Sequence, residues 1–181
     1  MIPFSAFTPR MWAAVILAGL GVLLGIISLA STSWNDFTNS TLGLWKFCVV
    51  SASTCVDSSL ILTDTMKAGR ALVLLGFLVW LVTLILLIVY VIKMDLNMVL
   101  AAIISGIVCA SLMLLGAILW TTGVNIFLSW GYYLCYISAI LAAALSGNLY
   151  QMRKQLLTEG TIATTSSSTV TTVHTQHAVV G

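Results

Sequence analysis

Charge is what this chain has least of: across 181 residues only 7% are Asp, Glu, Lys or Arg, while 60% are hydrophobic. A water-soluble domain carries about 25% charged residues, so a fold bathed in water on every side is excluded. Histidines number two, His174 and His177, both in a Ser/Thr-rich tail, and two without a third ligand make no metal centre. The two prolines, Pro3 and Pro9, precede the first apolar run, so none of the long runs is broken as transporter substrate sites require. No Cys-x-x-Cys occurs among the four cysteines, which removes dithiol redox chemistry. The net charge of +2 is scattered, with no basic cluster interleaved with aromatics, and so gives no reason to expect a nucleic-acid partner. No cofactor is implied and no enzyme is expected.

What is present comes in blocks. Residues 11–30, 71–92, 98–120 and 132–150 are uncharged apolar runs. At about 1.5 Å per helical residue each approaches or exceeds the roughly 30 Å hydrocarbon thickness of a bilayer. Charge is confined to the segments between them, as four transmembrane helices demand, since each backbone group in lipid must be satisfied within its own helix. Arg10 ahead of the first run resembles a signal peptide, but the run is longer than a signal h-region. An uncleaved anchor is the reading adopted.

The connections are unequal. Residues 31–70 form the one sizeable polar loop, 93–97 a tight turn, 121–131 a short uncharged loop, and 151–181 a tail that is basic at Arg153-Lys154 and then Ser/Thr-rich. Composition predicts that this tail is disordered. Basic residues barely discriminate the two sides: Arg10, Lys93, Arg153 and Lys154 against Lys46, Lys67 and Arg70. Two other features decide. Cys48 and Cys55 lie together in the large loop, and a disulfide there needs an oxidising compartment. The sequon Asn39-Ser40-Thr41 lies in the same loop, with Asn39 the glycan acceptor. Both put the loop outside and both termini (1–10 and 151–181) in the cytoplasm. Trp34, Trp120 and Trp130 are expected at the outer headgroup level, and Trp12, Tyr90 and Tyr150 at the inner one.

Residues 42–50 are rich in aromatic and β-branched types and predict a strand. Six residues between the cysteines allow a hairpin turning through 51–54. Small residues recur at four-residue spacing in three spans: Gly21 and Gly25; Ala102, Gly106 and Ala110; Ala139, Ala143 and Gly147. Such stripes let helices approach closely in lipid, here within one bundle. Cys109 and Cys135 read as small core residues. Arg70, at a membrane boundary, either finds carbonyl or carboxylate partners in the large loop or anchors at the interface.

Trp34, then Gly43-Leu44-Trp45, then Cys48 and Cys55 between the first two of four spans resemble the first-loop signature of claudins and their peripheral-myelin, epithelial-membrane-protein and auxiliary-subunit relatives. Arg70-Ala71-Leu72 is similar to claudins too, whereas residues 145–150 ahead of Arg153-Lys154 are closer to peripheral myelin protein. The resemblance implies a left-handed four-helix bundle capped by a small extracellular β-sheet. It implies a plasma-membrane protein at cell–cell contacts, forming a paracellular barrier or pore by self-association within and between membranes, alone or with other tetraspan proteins. In claudins, acids near the second cysteine tune ion selectivity; Asp57 matches one such position, while Ser51 stands at another. The third connection is shorter than in claudins, and the ending Val179-Val180-Gly181 lacks the apolar C-terminal residue that a PDZ scaffold grips. The second expectation is therefore a membrane organiser or auxiliary subunit working by lateral contacts.

Overall fold

A computed structural model describes residues 9–93, 95–122 and 128–177, with side chains as far as Thr158. Its long elements are four helices: α1 (Pro9–Ala30), α2 (Asp64–Lys93), α3 (Leu96–Thr122) and α4 (Trp130–His177). All four, α4 over Trp130–Thr158, are long and apolar enough to cross a membrane, consistent with a multi-pass membrane protein. Between α1 and α2 lie four short strands, β1 (Asn35–Phe37), β2 (Ser40–Leu42), β3 (Lys46–Val49) and β4 (Thr54–Asp57). They form one antiparallel sheet in the order β1-β2-β3-β4. The expectations placed on residues 1–8 and on Val179-Val180-Gly181 lie outside the described residues.

The helices end where capping chemistry tells them to. Thr63 starts α2, accepting the Lys67 N–H on its carbonyl. Asp95 starts α3, its carboxylate taking the Asn97 N–H at 2.9 Å, which satisfies one of the orphan donors of a first turn. α2 begins seven residues ahead of its expected limit, so Asp64, Lys67 and Arg70 belong to its first turns rather than to the loop. The uncharged-run criterion locates where lipid can begin, whereas the helix begins at its cap. The tail also differs from expectation, because α4 continues to His177. Residues 151–157 are Gln, Met, Arg, Lys, Gln, Leu and Leu, all good helix formers, so the backbone has no signal to stop at Tyr150.

Within the bundle α2 packs on α3, α3 on α4 and α4 on α1. At Gly21 a Cβ would strike the Trp80 ring, and at Gly25 it would lie 2.9 Å from Phe77. The Gly-x-x-x-Gly of α1 is thus occupied by α2 inside one molecule. Trp80 is buried there and donates its indole N–H to the Ala18 carbonyl at 3.2 Å. Ala102, Gly106 and Ala110 also face the interior, where Gly106 meets the Ser146 hydroxyl. The α4 stripe does not behave as expected. Ala139 is buried, but Ala143 and Gly147 face outward, and α4 packs through Cys135, Ala142, Leu145 and Leu149 instead. α2 carries the stripe that four-residue spacing hid: Gly69 and Gly76 sit one heptad apart against the α3 backbone at Gly116 and Met113. Cys109 and Cys135 are buried and free, as small core residues.

Candidate interaction surface

The sheet is a meander of rows that run across all four strands. Asn35, Leu42, Phe47 and Val56 form one row, and Thr41, Cys48 and Cys55 another. Side chains alternate faces along a strand, so the first row turns toward the helices and the cysteines turn away. Cys48 and Cys55 are directly opposed and bonded, with Cα atoms 4.1 Å apart. That short spacing marks a non-hydrogen-bonded pair, which points the Cys55 N–H and C=O away from β3. The hairpin is joined by residues 50–53, where Ser53 N–H reaches the Val50 carbonyl at 3.3 Å.

The sheet is locked to the helix ends by the segment Gly43-Leu44-Trp45 between β2 and β3. The Leu44 side chain is fully buried. Its carbonyl accepts the Ser58 hydroxyl at 2.9 Å and the Arg70 guanidinium at 3.2 Å. Trp45 donates its indole N–H to the Leu29 carbonyl of α1 at 2.9 Å, while the Arg70 guanidinium stands 5.2 Å over its ring. A Cβ on Gly43 would come within 2.6 Å of the Ser31 carbonyl oxygen and 2.7 Å of Thr32 Cα, so the chain leaving α1 needs a glycine there. The three motif residues thus supply, in turn, backbone clearance, burial and a bond to α1. Arg70 takes the first of its two expected roles, pairing with a carbonyl and an aromatic ring.

Trp34 and Trp120 are not headgroup residues. Both are fully buried, with ring centroids 5.2 Å apart in an edge-on contact, and Tyr132 lies edge-on to Trp34 at 6.0 Å. The Trp34 indole donates to the Ser28 carbonyl at 2.9 Å, and the Trp120 indole to Asn35 Oδ1 at 2.6 Å. The sheet sits over the helix ends and turns that level into protein interior. Trp130 is exposed; at the other end Trp12 and Tyr150 are exposed, whereas Tyr90, expected at the inner headgroup level, is buried among the helices. Ser58 and Asn35, both fully buried, are the functional supports that sequence reasoning missed. A serine in a Ser-rich loop and an asparagine beside a tryptophan carry no spacing signal.

The two connections meet. Leu128 bridges to Asn35, the Ser129 N–H reaches the Trp34 carbonyl at 2.9 Å, and the Ser129 hydroxyl donates to Asp36. One edge of the sheet, at β1, is therefore covered. The other, at β4, is open among the described residues: β4 is exposed along its whole length. Val56, on the inward-facing row, is 49% exposed, and Val50, Leu60 and Ile61 add 64%, 84% and 50%. The outer half of the sheet overhangs the bundle and presents an apolar fringe.

Asp57 lies at the end of β4, exposed, and its carboxylate accepts the Ser59 N–H at 2.7 Å, capping the short 3₁₀ turn Ser58–Leu60. Hydrogen bonding from Ser59, with a smaller contribution from the Arg70 charge, holds its pKa below the ordinary carboxylate value of 3.8. Asn39 is exposed in the β1–β2 turn. Among the described residues no group of three or more His, Cys, Asp and Glu is placed to hold a metal. Comparison with protein-family models gives no match, and comparison with curated proteins gives none.

Proposed function

We propose that this chain is a claudin-like structural membrane protein of cell–cell junctions, with the sheet outside the cell and its copies associating through it to form a paracellular barrier or pore. The observation that carries the reading is the β4 edge. Backbone groups turned outward and an apolar fringe at Val56, Leu60 and Ile61 sit on a sheet keyed rigidly to the helices. Soluble or solitary proteins blunt such edges with charge, proline or cover; β4 carries one charge, Asp57 at its end, and neither lysine nor proline. A stiff, disulfide-closed hairpin loses little conformational entropy on association, which favours assembly.

A second reading draws on the other loop. Leu128 and Ser129 are tied down to β1 and brace the sheet rather than projecting from it. That arrangement suits a membrane organiser or an auxiliary subunit working by lateral contacts.

The test is expression of the chain alone in cells without junctional strands, followed by freeze-fracture imaging and mixed culture with non-expressing neighbours. The junction reading expects continuous strands, and enrichment at borders only where both cells express the protein. Val56→Lys, a charge on the exposed edge, should abolish the strands while the Cys48–Cys55 bond still forms. Uniform surface staining with no strands would overturn the junction reading in favour of the lateral one.

A further inference from the structure

An outward groove between α3 and α4, unconnected with the sheet, has a volume of about 470 Å³, within the roughly 300–1,000 Å³ of small-molecule sites. Its floor is Ala143 and Gly147, where an added Cβ at Gly147 would meet nothing within 4 Å. Ile103 and Ile107 form one wall, and Tyr150 stands at the end remote from the sheet. Two serines line it, yet the Ser111 hydroxyl donates to the Ile107 carbonyl at 2.9 Å and Ser146 to the Ala142 carbonyl at 3.0 Å. Both are spent on their own helices, so apart from the Tyr150 phenol at its end the groove offers a ligand hydrocarbon contact.

Beyond Tyr150 the chemistry changes sign. Residues 143, 147, 150 and 154 share one helical face, and 146, 150 and 153 the adjoining row. Lys154 and Arg153 therefore lie one turn beyond the groove's last lining residue, on the same side of α4. Lys154 is exposed, and Arg153 Nε is buried with no hydrogen-bond partner among the described residues. Arg153 as a whole is half-buried, and the part of its guanidinium that stays accessible suits a phosphate oxygen. Among the described side chains at this end the acid is Asp95, whose carboxylate accepts the Asn97 N–H.

We infer that the α3–α4 groove seats an acyl chain of an anionic phospholipid, with its headgroup held by Arg153 and Lys154. The occupant follows from the polarity of the site: an apolar channel on a membrane-facing surface, ending in two cations. The inference needs the helices to cross a bilayer and is independent of the junction reading.

The full-length protein, purified in detergent and titrated with phosphatidylserine or phosphatidylcholine, can be weighed with its bound lipids by native mass spectrometry. The wild type should retain phosphatidylserine in preference to phosphatidylcholine. Arg153→Gln and Lys154→Gln should each cut that preference roughly five-fold. Gly147→Leu, which fills the floor, should release both lipids, while Leu78→Phe on the exposed face of α2 should change nothing. Should Gly147→Leu fail to fold, judged by its helical circular dichroism and intact disulfide, the two glutamine variants decide the matter alone. Equal retention of both lipids by the wild type overturns the inference. So does a dimer in place of bound lipid, or a folded Gly147→Leu that still holds phosphatidylserine.

Discussion

Gly43 illustrates how little room a motif residue can have. The neighbours a methyl group would meet are backbone atoms of Ser31 and Thr32, which cannot swing aside as a side-chain tip would. Gly43→Ala should therefore destabilise the protein by about 1–3 kcal/mol, the usual cost of overpacking, and thermal unfolding in detergent measures it. Asp57 gives a prediction with a sign. Its pKa is lowered by Ser59 and Arg70, so the folded protein holds the proton less tightly than the unfolded chain. Its contribution is complete above the ordinary value of 3.8 and disappears as pH falls through the lowered one. If the carboxylate lines a pore, the sodium/chloride permeability ratio of an expressing cell layer should stay flat from neutral pH through the mildly acid range. Asp57→Lys should lower that ratio at every pH; an unchanged ratio removes Asp57 from the pathway.

The hairpin of β3 and β4 closes so short a ring that its disulfide contributes about 2–3 kcal/mol on the chain-entropy model. Cys48→Ser with Cys55→Ser should loosen β4 first, because β4 has a partner on one side only. Hydrogen exchange should rise in residues 54–57 while α1 to α3 keep their protection; equal exchange with and without the bond would refute this. The helices and the cysteine pair were legible in the sequence because lipid and oxidation impose simple rules. Uncharged runs mark spans, and two thiols in one polar loop mark a bridge. Trp34 and Trp120 were misread because an amphipathic ring at a helix end has two homes, the headgroup layer or the underside of a domain. Only the tertiary position of the sheet distinguishes them. The α2 stripe of Gly69 and Gly76 shows no four-residue spacing, because these glycines meet α3 one heptad apart. Ser58 and Asn35 were illegible for another reason, since a hydrogen-bond partner 14 residues away or on another helix leaves no local pattern.

Among the described residues, buried apolar side chains form two clusters. One joins the sheet, Trp80 and the nearer halves of the helices, and the other lies around Leu87, Val99 and Leu149 toward the far end. Neither Val56 nor Gly147 belongs to either cluster, and the proposed association edge at β4 and the proposed lipid groove lie on different parts of the surface. Lesions in one should spare the other, which Val56→Lys and Gly147→Leu, each assayed for both strands and bound lipid, can show. The covered β1 edge has a further consequence. With β4 the one open margin among the described residues, a unit is spent after one union: two copies joined margin to margin leave nothing free for a third. A fibre of indefinite length therefore demands a second, dissimilar contact in alternation with the first, and that contact must lie off the sheet's edges altogether.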